Sequence, residues 1–364
     1  MKVGILGAGQ LARMIALAGY PLGLEFIFLD PSKDACANKL GVHLHGDYND
    51  PRLLAQLAEQ ADVVTYEFEN VPAEVANYLA SHTQVHPSPK ALAVAQDRLI
   101  EKNYFRSIDI PTPAYAAVEH FADFEQVMQT MGYPAIIKSR TQGYDGKGQS
   151  LLTSADDLKA AWAKLDGAPA IVEAFVAFDR EVSIIAVRNT QGAIVYYPLA
   201  ENVHRGGILR ISQNQHADIM QSLAEAYVTR LLEALDYVGV LALELFEVKG
   251  QLIANEFAPR VHNSGHWTIE GAETSQFENH LRAILDWPLG ATTAYGKSAM
   301  VNFIGGLPEA TEVLAIEHAH LHLYDKAPRK GRKVAHATVC AEEPERLSER
   351  LSKLAALSEQ VDDS

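Results

Sequence analysis

The first hundred residues alternate short apolar runs with helical patterns, and this alternation limits the possible folds more than any other feature of the sequence. The runs at residues 3–6, 26–29 and 61–66 have the length and composition of strands, and stretches with helical periodicity separate them. Strands that alternate with helices predict a parallel sheet with helices on both faces. We therefore expect an α/β domain at this end of the chain.

Distinctive residues follow each of these predicted strands. Gly7 and Gly9 come after the first strand, Asp30 after the second, and Glu67-Phe68-Glu69-Asn70 after the third. Ligands of open parallel sheets bind at the carboxyl ends of the strands. These positions are therefore candidate site residues because of their place in the sheet alone.

The segment Gly7-Ala8-Gly9-Gln10-Leu11-Ala12 fits the Gly-x-Gly-x-x-Gly/Ala pattern of dinucleotide sites, and Asp30 stands where a ribose-binding acid belongs. Two glycines let a phosphate approach the backbone, and the N-terminus of the following helix offers N–H groups. The same turn also occurs where a helix only packs on a sheet. A nicotinamide oxidoreductase is therefore one hypothesis, and a tight turn with a structural role is the alternative.

The residues after this first domain show a different organisation. The pattern predicts one long helix over residues 88–107 and then a rigid break at Pro111-Thr112-Pro113. Strand patterns dominate residues 170–257, where one predicted helix over residues 219–235 interrupts them. We therefore expect a separate mixed α+β unit after the break.

A lysine and a glycine-rich loop form a second constellation. Lys138 ends a predicted strand, and Gly143-Tyr144-Asp145-Gly146-Lys147-Gly148 separates it from a strand at residues 150–152. Free N–H groups of such a loop can close over phosphates. The loop lacks the Walker A spacing and a strand follows it, so it is not a P-loop. Taken alone, it is better explained as a mobile hairpin tip.

Carboxylates within apolar strands form a third constellation. Glu244 lies inside one apolar strand pattern, and Asn255-Glu256 follows another after a short turn. A carboxylate is costly to bury unless it is paired or binds a metal. Across a hairpin the two glutamates would face each other, and their oxygens with that of Asn255 suit Mg²⁺. Arg260 would meet a phosphate in the same site, whereas a structural salt bridge is the alternative.

One strand end has the composition of a purine site. Glu173-Ala174-Phe175-Val176 combines an acid with apolar flanks, and Glu181 opens the next strand. Purine rings are often held by backbone hydrogen bonds between apolar faces. We therefore expect a nucleotide base at this position.

The charge balance restricts the partners. Lys plus Arg number 31 and Asp plus Glu 46, so the formal net charge is −15. An acidic surface repels phosphate backbones, so we expect no nucleic-acid partner, although a local basic cluster still suits a small phosphorylated ligand. One such cluster contains Lys326, Arg329, Lys330, Arg332 and Lys333, and it is either a solvated loop or a ribose-phosphate site.

The remaining signals are mostly negative. The chain has only two cysteines, which give neither a disulfide framework nor a zinc spacing and fit a reducing, cytoplasmic location. We expect no signal peptide and no membrane span, because no apolar run approaches about 18 residues. His318, His320 and His322 alternate along one predicted strand face. A solvated face is the better prediction for them, and a metal site is the alternative.

Together these residues resemble the ATP-grasp enzymes, with a strand lysine, a glycine lid, a Glu-x-x-Val hinge and paired carboxylates. More specifically, nearly the whole chain resembles the N5-carboxyaminoimidazole ribonucleotide synthetase family of purine biosynthesis. The resemblance is carried by Gly7-Ala8-Gly9-Gln10-Leu11, Glu67-Phe68-Glu69-Asn70-Val71, Gln96-Asp97-Arg98, residues 143–149, Ala258-Pro259-Arg260-Val261-His262-Asn263-Ser264-Gly265-His266-Trp267-Thr268, Ser275-Gln276-Phe277-Glu278 and residues 324–336. The stretch from Asn263 to Thr268 is the most specific of these motifs.

The resemblance implies an ATP-dependent carbon–nitrogen ligase. ATP, Mg²⁺ and bicarbonate would give carboxyphosphate and ADP. The carboxyl group would then pass, directly or as released CO₂, to the exocyclic amine of 5-aminoimidazole ribonucleotide. The product would be N5-carboxyaminoimidazole ribonucleotide.

The resemblance also implies the site residues. ATP would contact Arg98, Lys138, Gly143, Tyr144, Asp145, Gly146, Lys147, Gly148, Gln149, Glu173, Ala174, Phe175, Val176, Glu181, His204, Asn255 and Glu256. Mg²⁺ would bind Glu244 and Glu256. The ribonucleotide would contact Gly9, Gln10, Leu11, Glu69, Asn70, His262, Asn263, Ser264, Lys326 and Arg332. Catalytic roles would belong to Tyr144, Asp145, Arg260 and His266, although an Asp-Gly pair is also common in turns.

For the architecture, the resemblance implies an ATP-grasp fold of α/β and α+β class in three domains. These are a Rossmann-like domain at residues 1–97, an ATP-grasp domain at 98–287 with a lid at about 112–170, and a C-terminal mixed domain at 288–364. A homodimer is implied as well. Two positions depart from the family pattern, since Ala12 replaces a glycine and Asp325 replaces the glycine of Tyr-Gly-Lys.

Three alternative functions remain open from the residues. An ATP-grasp ligase that uses formate or an amino acid would share the same nucleotide site. A nicotinamide oxidoreductase would use the first glycine motif but would leave Lys138, Glu244 and Glu256 without a function. A nucleotide sensor would bind ATP without turnover.

Overall fold

The computed structural model describes residues 1–143, 148–215 and 217–362, and its N-terminal part is a four-stranded parallel sheet. The strands are β1 (Lys2–Leu6), β2 (Glu25–Asp30), β3 (Val42–His45) and β4 (Val63–Tyr66), and the helices are α1 (Gln10–Gly19), α2 (Pro51–Gln60) and α3 (Ala73–Ala80). The order β3-β2-β1-β4 brings the segments after β1 and β4 together at one edge. The predicted parallel sheet is confirmed, but β3 was not predicted because its Val-His-Leu-His pattern is short and half polar.

The helix predicted over residues 88–107 is two helices, α4 (Pro89–Ala95) and α5 (Arg98–Ser107). The Asp97 carboxylate accepts the N–H groups of Leu99 at 2.9 Å and Ile100 at 3.3 Å, so it caps a new helix. The Gln96 side chain turns away and donates to the carbonyl oxygens of Glu69 and Val71 at 2.7 and 2.5 Å. The single-helix prediction was wrong because apolar periodicity runs through this break.

A small antiparallel sheet follows, with the spatial order β5-β8-β6-β7. It contains β5 (Tyr115–Val118), β6 (Ala135–Ser139), β7 (Gln149–Leu152) and β8 (Ala170–Ala174), with the helices α6 (Phe121–Met131) and α7 (Asp157–Lys164). Phe124 and Trp162 from the two helices stack with ring centroids 5.8 Å apart. The predicted hairpin across the glycine-rich loop is confirmed, since β6 pairs with β7.

The largest sheet has nine strands in the order β14-β13-β9-β11-β12-β15-β17-β16, and β10 pairs with β9. Its first part contains β9 (Arg180–Arg188), β10 (Ile194–Tyr196), β11 (Ala200–Arg205), β12 (Ile208–Asn214), β13 (Gly239–Val248) and β14 (Gln251–Ala258). The helices of this part are α8 (Gln221–Ala234), α9 (Thr268–Gly271) and α10 (Gln276–Ile284). Strands β11 and β12 were not predicted because polar residues interrupt their apolar pattern. Strand β14 lies at the edge of the sheet, so only β13 pairs with it.

The C-terminal strands continue this sheet. They are β15 (Lys297–Ile304), β16 (Ala319–Leu323) and β17 (Lys333–Ala341), and the helices are α11 (Ala310–Leu314) and α12 (Pro344–Gln360). Strand β15 pairs with β12. His318 precedes β16, and His322 packs parallel to His336 at 4.4 Å and contacts Glu270 at 2.7 Å. The prediction of one solvated histidine face is therefore wrong for His322.

A continuous core joins the N-terminal domain to the large sheet, because α1 packs on α10. At this contact Val240 N–H donates to Nδ1 of buried His280 at 3.1 Å, so the opposite Nε2–H is free to donate to the Thr65 hydroxyl at 2.8 Å. The strand before Glu67 is thereby fixed relative to the strand that carries Glu244. Among the residues described, no helix combines the length and apolarity that crossing a membrane requires.

Candidate active site

A cavity of about 750 Å³ lies where the N-terminal domain, the small sheet and the large sheet meet. Many residues named from the sequence line it: Gly9, Gln10, Leu11, Glu69, Asn70, Arg98, Lys138, Gly143, Gln149, Glu181, His204, Glu244, Asn255, Glu256, Arg260, His262, Asn263 and Lys326. Residues from the whole length of the chain therefore form one cleft.

The glycine-rich turn after β1 is occupied by carboxylates of the protein itself. The N–H groups of Gly9 and Ala12 donate to the two carboxylate oxygens of Glu67, and Ala8 N–H donates to Asp30 at 2.9 Å. A side chain on Gly9 would place its Cβ 2.6 Å from Oε1 of Glu67. The glycines are therefore required for the approach of Glu67, and in this state the turn offers a dinucleotide few free donors.

The Glu69 carboxylate and the Arg260 guanidinium form a bidentate ion pair at 2.6 and 3.2 Å. Glu69 follows β4 and Arg260 follows β14, so the pair joins two domains across the cleft. Burial alone would raise the pKa of Glu69, but the charge of Arg260 outweighs it and the pKa is lowered. The planar guanidinium thus keeps an ionised carboxylate at the wall of the cavity.

The two strand glutamates face each other as predicted. Glu244 on β13 pairs with Glu256 on β14, but Leu245 pairs with Ala254, so Asn255 is the extra residue of a β-bulge. Neighbouring residues of a regular strand point to opposite faces. The bulge explains why Asn255 and Glu256 both line the cavity.

These oxygens suit Mg²⁺, since two carboxylates and one amide carbonyl are hard ligands. Within the described part of the chain, no group of three His, Cys, Asp or Glu side chains is placed to hold a metal ion. A site on Glu244 and Glu256 therefore needs further oxygens from a phosphate and from water. The His262 ring lies beside this position, with Nε2 3.0 Å from Oε1 of Glu244. Burial opposes ionisation of Glu244, but the hydrogen bond from His262 prevails and lowers its pKa to about 2.

Ser264 lies behind His262 and does not line the cavity. It is fully buried, its hydroxyl contacts Nδ1 of His262 at 2.8 Å, and it accepts a hydrogen bond from Ser183 at 2.7 Å. This arrangement leaves Nε2 of His262 to face Glu244. The expected substrate contact of Ser264 is therefore corrected to an indirect role, in which its hydroxyl orients His262.

His266 does not reach the cleft either. Its side chain is only 1 % exposed, and its ring packs against His336 and Phe277 with centroids 4.8 and 5.5 Å away. Burial lowers its pKa well below the usual value for histidine, so the ring is neutral. The catalytic contact predicted for His266 was wrong because membership of a specific motif does not say which way a side chain points.

The predicted phosphate cluster separates into inner and outer members. Lys326 and Lys333 line the cavity, and the Lys326 ammonium donates to the Gln10 side chain. Arg332 instead donates to the Ala327 carbonyl at 3.3 Å and does not line the cavity, which corrects its predicted ribonucleotide contact. Asp325 has φ +58°, where glycine is favoured, and its carboxylate contacts exposed Lys39 at 2.7 Å. Its negative charge is therefore paired away from Lys326.

A buried ion cluster lies under the nucleotide end of the cleft. The Glu173 carboxylate is 3.1 Å from the Lys138 ammonium and 3.4 Å from the Lys102 ammonium. Burial would raise the pKa of Glu173, but the two lysines lower it. Glu173 is 3 % exposed, so its side chain holds the lysines instead of lining the cavity.

The apolar part of the cleft differs from the prediction. Ala174, Phe175 and Val176 do not line the cavity, whereas Phe178 and Phe246 do and stack at 4.9 Å with an interplanar angle of 7°. Ile136 lies on the same wall. The sequence signal for Phe178 was its place just after the predicted hinge. The signal for Phe246 was its place two residues after Glu244, on the same face of β13.

His204 and Glu181 form another pair in the cavity. They lie on the neighbouring strands β11 and β9, and Nδ1 of His204 contacts Oε2 of Glu181. Burial alone would lower the pKa of His204, but the hydrogen bond to Glu181 outweighs it and the pKa is raised. This pair presents polar groups beside the apolar wall, an arrangement suited to a sugar hydroxyl.

Part of the predicted lid lies outside the described residues, namely Tyr144, Asp145, Gly146 and Lys147. Its two ends are described, and Gly143 and Gln149 line the cavity. A Cβ on Gly143 would lie 2.5 Å from Nη1 of Arg98. Gly148 has φ +71° and approaches the Ser139 side chain. A glycine is therefore favoured at position 148 by its backbone conformation, and a side chain at position 143 would have to displace the Arg98 guanidinium.

Three family models match the chain in succession. A ribonucleotide synthetase preATP-grasp domain matches residues 1–96, an ATP-grasp domain matches residues 103–277, and a phosphoribosylaminoimidazole carboxylase C-terminal domain matches residues 298–350. Together they account for most of the chain.

Similar proteins with curated names agree with this order. The N5-carboxyaminoimidazole ribonucleotide synthase of Pseudomonas aeruginosa is 52% identical over 359 residues, covering 99% of this chain and 100% of that protein. The synthase of Bacillus subtilis is 36% identical and covers 92% and 90%.

Solved structures show the same architecture. The N5-carboxyaminoimidazole ribonucleotide synthetase of Thermus thermophilus has a TM-score of 0.93 and 52% identity, with 98% of both chains covered. The synthase of Aspergillus clavatus, solved with ADP and 5-aminoimidazole ribonucleotide, has a TM-score of 0.92 and 31% identity, covering 99% of this chain and 98% of that one.

Proposed function

Because the chain belongs to the N5-carboxyaminoimidazole ribonucleotide synthase family of ATP-grasp enzymes, we propose that its interdomain cleft is the site of this activity. The enzyme is an ATP-dependent carbon–nitrogen ligase of purine biosynthesis. It carboxylates 5-aminoimidazole ribonucleotide with ATP and bicarbonate to give N5-carboxyaminoimidazole ribonucleotide, ADP and phosphate.

One observation supports the location of the reaction. A single cavity joins a carboxylate pair and a strand lysine to the Glu69–Arg260 pair and the inner lysines Lys326 and Lys333. The first end suits a nucleotide triphosphate, and the second suits a phosphorylated ribonucleotide. The junction between them is where a group transferred from one ligand to the other would pass.

The nucleotide end has the following assignment. Lys138 and Arg98 bind phosphate oxygens, the family resemblance implies a lid at residues 143–149, and Glu181 with His204 binds the ribose. Residues 174–176 offer backbone groups to the base beside Phe178 and Phe246, and Glu173 acts through Lys138. Lid closure excludes water from carboxyphosphate, which is short-lived in water.

Glu244 and Glu256 are the ligands that we assign to Mg²⁺, with the side-chain amide oxygen of Asn255 as a further candidate. When bound, the ion neutralises charge that develops on the transferred phosphoryl group. Lys138 and Arg260 add positive charge on the protein side. The donor chemistry of these residues and their shared place in the cavity support the assignment.

At the substrate end, Gly9, Gln10, Leu11, Glu69 and Asn70 would hold the ribonucleotide, and Lys326 would bind its phosphate. Arg260, His262 and Asn263 would surround the bicarbonate. Tyr144 and Asp145 lie outside the described residues, and the family resemblance gives them a role at the amine, where an aspartate can orient the amine or take its proton. The carboxyl group reaches the amine either directly from carboxyphosphate or as released CO₂.

We also propose that the enzyme is a cytoplasmic homodimer. Both cysteines are free thiols, which suits a reducing compartment. Light scattering of the purified protein at micromolar concentration tests the dimer, and a monomeric mass would contradict it. Fractionation of the source cells tests the location.

The activity is tested by ADP release with ATP, Mg²⁺, bicarbonate and 5-aminoimidazole ribonucleotide. We expect ADP release to depend on the ribonucleotide. Formate or glycine in place of bicarbonate tests the other ATP-grasp ligases, and NADH fluorescence tests the oxidoreductase. Release that is independent of the ribonucleotide, or supported equally by formate, would overturn the assignment.

A further inference from the structure

We propose that Glu101 and Lys102, two neighbouring residues of α5, are positioning residues that hold the bulged segment carrying Asn255 and Glu256. The inference rests on the proposed metal-binding role of Glu256. It concerns two buried charged side chains outside the nucleotide cavity, of which Glu101 lines a smaller cavity beside it.

The bulge lies in an edge strand, and no other strand can satisfy the outer peptide groups of that strand. Strand β14 pairs only with β13, and Asn255 has no register partner there. The Ala254 N–H donates to the Pro111 carbonyl oxygen at 2.8 Å, whereas the peptide groups on either side of Glu256 face α5, which packs against this strand. Without partners, these groups would cost free energy in a buried environment.

The side chains of α5 supply these partners on both sides of Glu256. The Glu101 carboxyl accepts the N–H of Phe257 at 2.8 Å, and the Lys102 ammonium donates to the carbonyl oxygen of Asn255. The two bonded peptide groups thus flank Glu256 on either side. Rotation of the Glu256 backbone away from the cavity would break at least one of these bonds.

The clamp is also tied to the rest of the nucleotide site. Lys102 lies 3.4 Å from the Glu173 carboxylate, which pairs with Lys138 of the small sheet at 3.1 Å. The side chains of Glu101 and Lys102 are almost fully buried, at 3 and 1 % exposure. Burying two ionisable groups is costly, so their place at the bulge calls for a specific purpose. These contacts connect the bulge, through Lys102 and Glu173, to Lys138, which is proposed to bind the nucleotide.

The contact between Glu101 and Phe257 suggests a matched pair of variants. A glutamine amide offers the Phe257 N–H the same acceptor oxygen as the Glu101 carboxyl does. Glu101→Gln therefore keeps the proposed contact, whereas Glu101→Leu has similar size and lacks the acceptor.

The test measures ADP binding by calorimetry with and without Mg²⁺. For Glu101→Leu and for Lys102→Met we expect the Mg²⁺-supported affinity for ADP to fall by about tenfold. Without Mg²⁺ the affinity should change by less than about twofold for Glu101→Leu. For Lys102→Met, which also removes a partner of Glu173, it should change by less than the Mg²⁺-supported affinity does, and Glu101→Gln should match the wild type. Val228→Ala, a core substitution in α8, controls for general destabilisation and should also match. Thermal unfolding shows whether each variant is folded. If Glu101→Leu does not fold, Lys102→Met serves as the test.

Equal losses for Glu101→Leu and Glu101→Gln would overturn the proposal, as would a loss that is the same with and without Mg²⁺. Glu256→Gln separates this inference from the metal assignment. If Glu256→Gln keeps the full effect of Mg²⁺ on ADP binding, the metal assignment fails, and the positioning role fails with it. If Glu256→Gln loses the effect and Glu101→Leu keeps it, only the positioning role fails.

Discussion

The glycine-rich turn after β1 and the carboxylate hairpin of β13 and β14 both carry sequence patterns that indicate a ligand, but they use their polar groups differently. In the turn, Glu67 and Asp30 already accept the N–H groups of Ala8, Gly9 and Ala12. In the hairpin, Glu244 and Glu256 face each other at the wall of a large cavity. The N–H donors of the first pattern are satisfied within the protein, whereas both carboxylates of the second line the cavity.

This difference shows that a motif predicts backbone geometry more reliably than it predicts a ligand. Glycines at these positions let another group approach the backbone closely, whether it is a phosphate or a side chain of the protein. In this protein the approaching group is the Glu67 carboxylate. Glu67, a residue 58 positions away from Gly9 in the sequence, decides whether the turn is a dinucleotide site or a support for the substrate loop. The variants below test whether the two regions contribute as differently as their contacts indicate.

The largest effect is expected at the hairpin. Glu256→Gln keeps the shape of the side chain and removes its charge, so kcat should fall by about 10³-fold or more because a metal ligand is weakened. Steady-state ADP release measures it. If Glu256→Gln keeps more than about a tenth of the wild-type kcat, the hairpin does not take part in the chemistry.

The next effect concerns the ion pair that joins the two regions. Arg260→Lys keeps the charge but cannot form the bidentate contact with Glu69. We expect kcat/KM for the ribonucleotide to fall by about 10- to 100-fold, while KM for ATP changes much less. An equal loss for both substrates would mean that Arg260 does not act at the junction.

A smaller effect on catalysis is expected at the turn. Glu67→Gln replaces one acceptor oxygen with an N–H₂ group that faces backbone donors, so stability should fall by about 1–3 kcal/mol. Because Glu67 supports the loop that carries Glu69, KM for the ribonucleotide should rise by less than about tenfold. Chemical denaturation and initial rates measure these two quantities. Loss of activity as large as that of Glu256→Gln would contradict the proposed contrast.

The contact between the two regions should depend on pH through His280. Burial lowers its pKa from 6.5 to about 3 in the folded protein. Between these values the unfolded chain binds more protons, so this contribution to stability is lost as the pH falls below the unfolded pKa. From about pH 7 to about pH 5.5, the wild type should lose about 1 kcal/mol more than His280→Gln does in urea unfolding. Parallel curves for the two proteins would exclude this role.

The smallest effect is expected at Asp325. Its carboxylate contacts exposed Lys39, and its backbone has φ +58°, which glycine adopts readily. Asp325→Gly should therefore change KM for the ribonucleotide by less than about twofold, whereas Lys326→Met should raise it by about tenfold or more. If Asp325→Gly lowers KM several-fold, the carboxylate does oppose phosphate binding.

Local patterns in the sequence predicted much of the fold and the central part of the site. Apolar runs identified β1, β2, β4, β13 and β14, and buried carboxylates identified Glu244 and Glu256 as a facing pair. The break between α4 and α5 was missed because it depends on the side chains of Gln96 and Asp97 and not on hydrophobic periodicity.

Other features depend on pairing and orientation that sequence order does not record. The bulge at Asn255 appears only when β14 is aligned with β13. Ser264 and His266 belong to the most specific motif, but both point into the core. Lys102 was not singled out, because nothing in its neighbourhood on α5 indicates that it reaches the Asn255 carbonyl oxygen.

The most direct test of the reaction follows an oxygen atom from bicarbonate. In the proposed cleft, bicarbonate oxygen attacks the γ-phosphorus of ATP, and that oxygen stays with phosphate when the carboxyl group leaves. With ¹⁸O-labelled bicarbonate, we predict one labelled oxygen in each phosphate formed, and only when 5-aminoimidazole ribonucleotide is present. Ribonucleotide-dependent ADP release with unlabelled phosphate would contradict carboxyphosphate formation in this cleft.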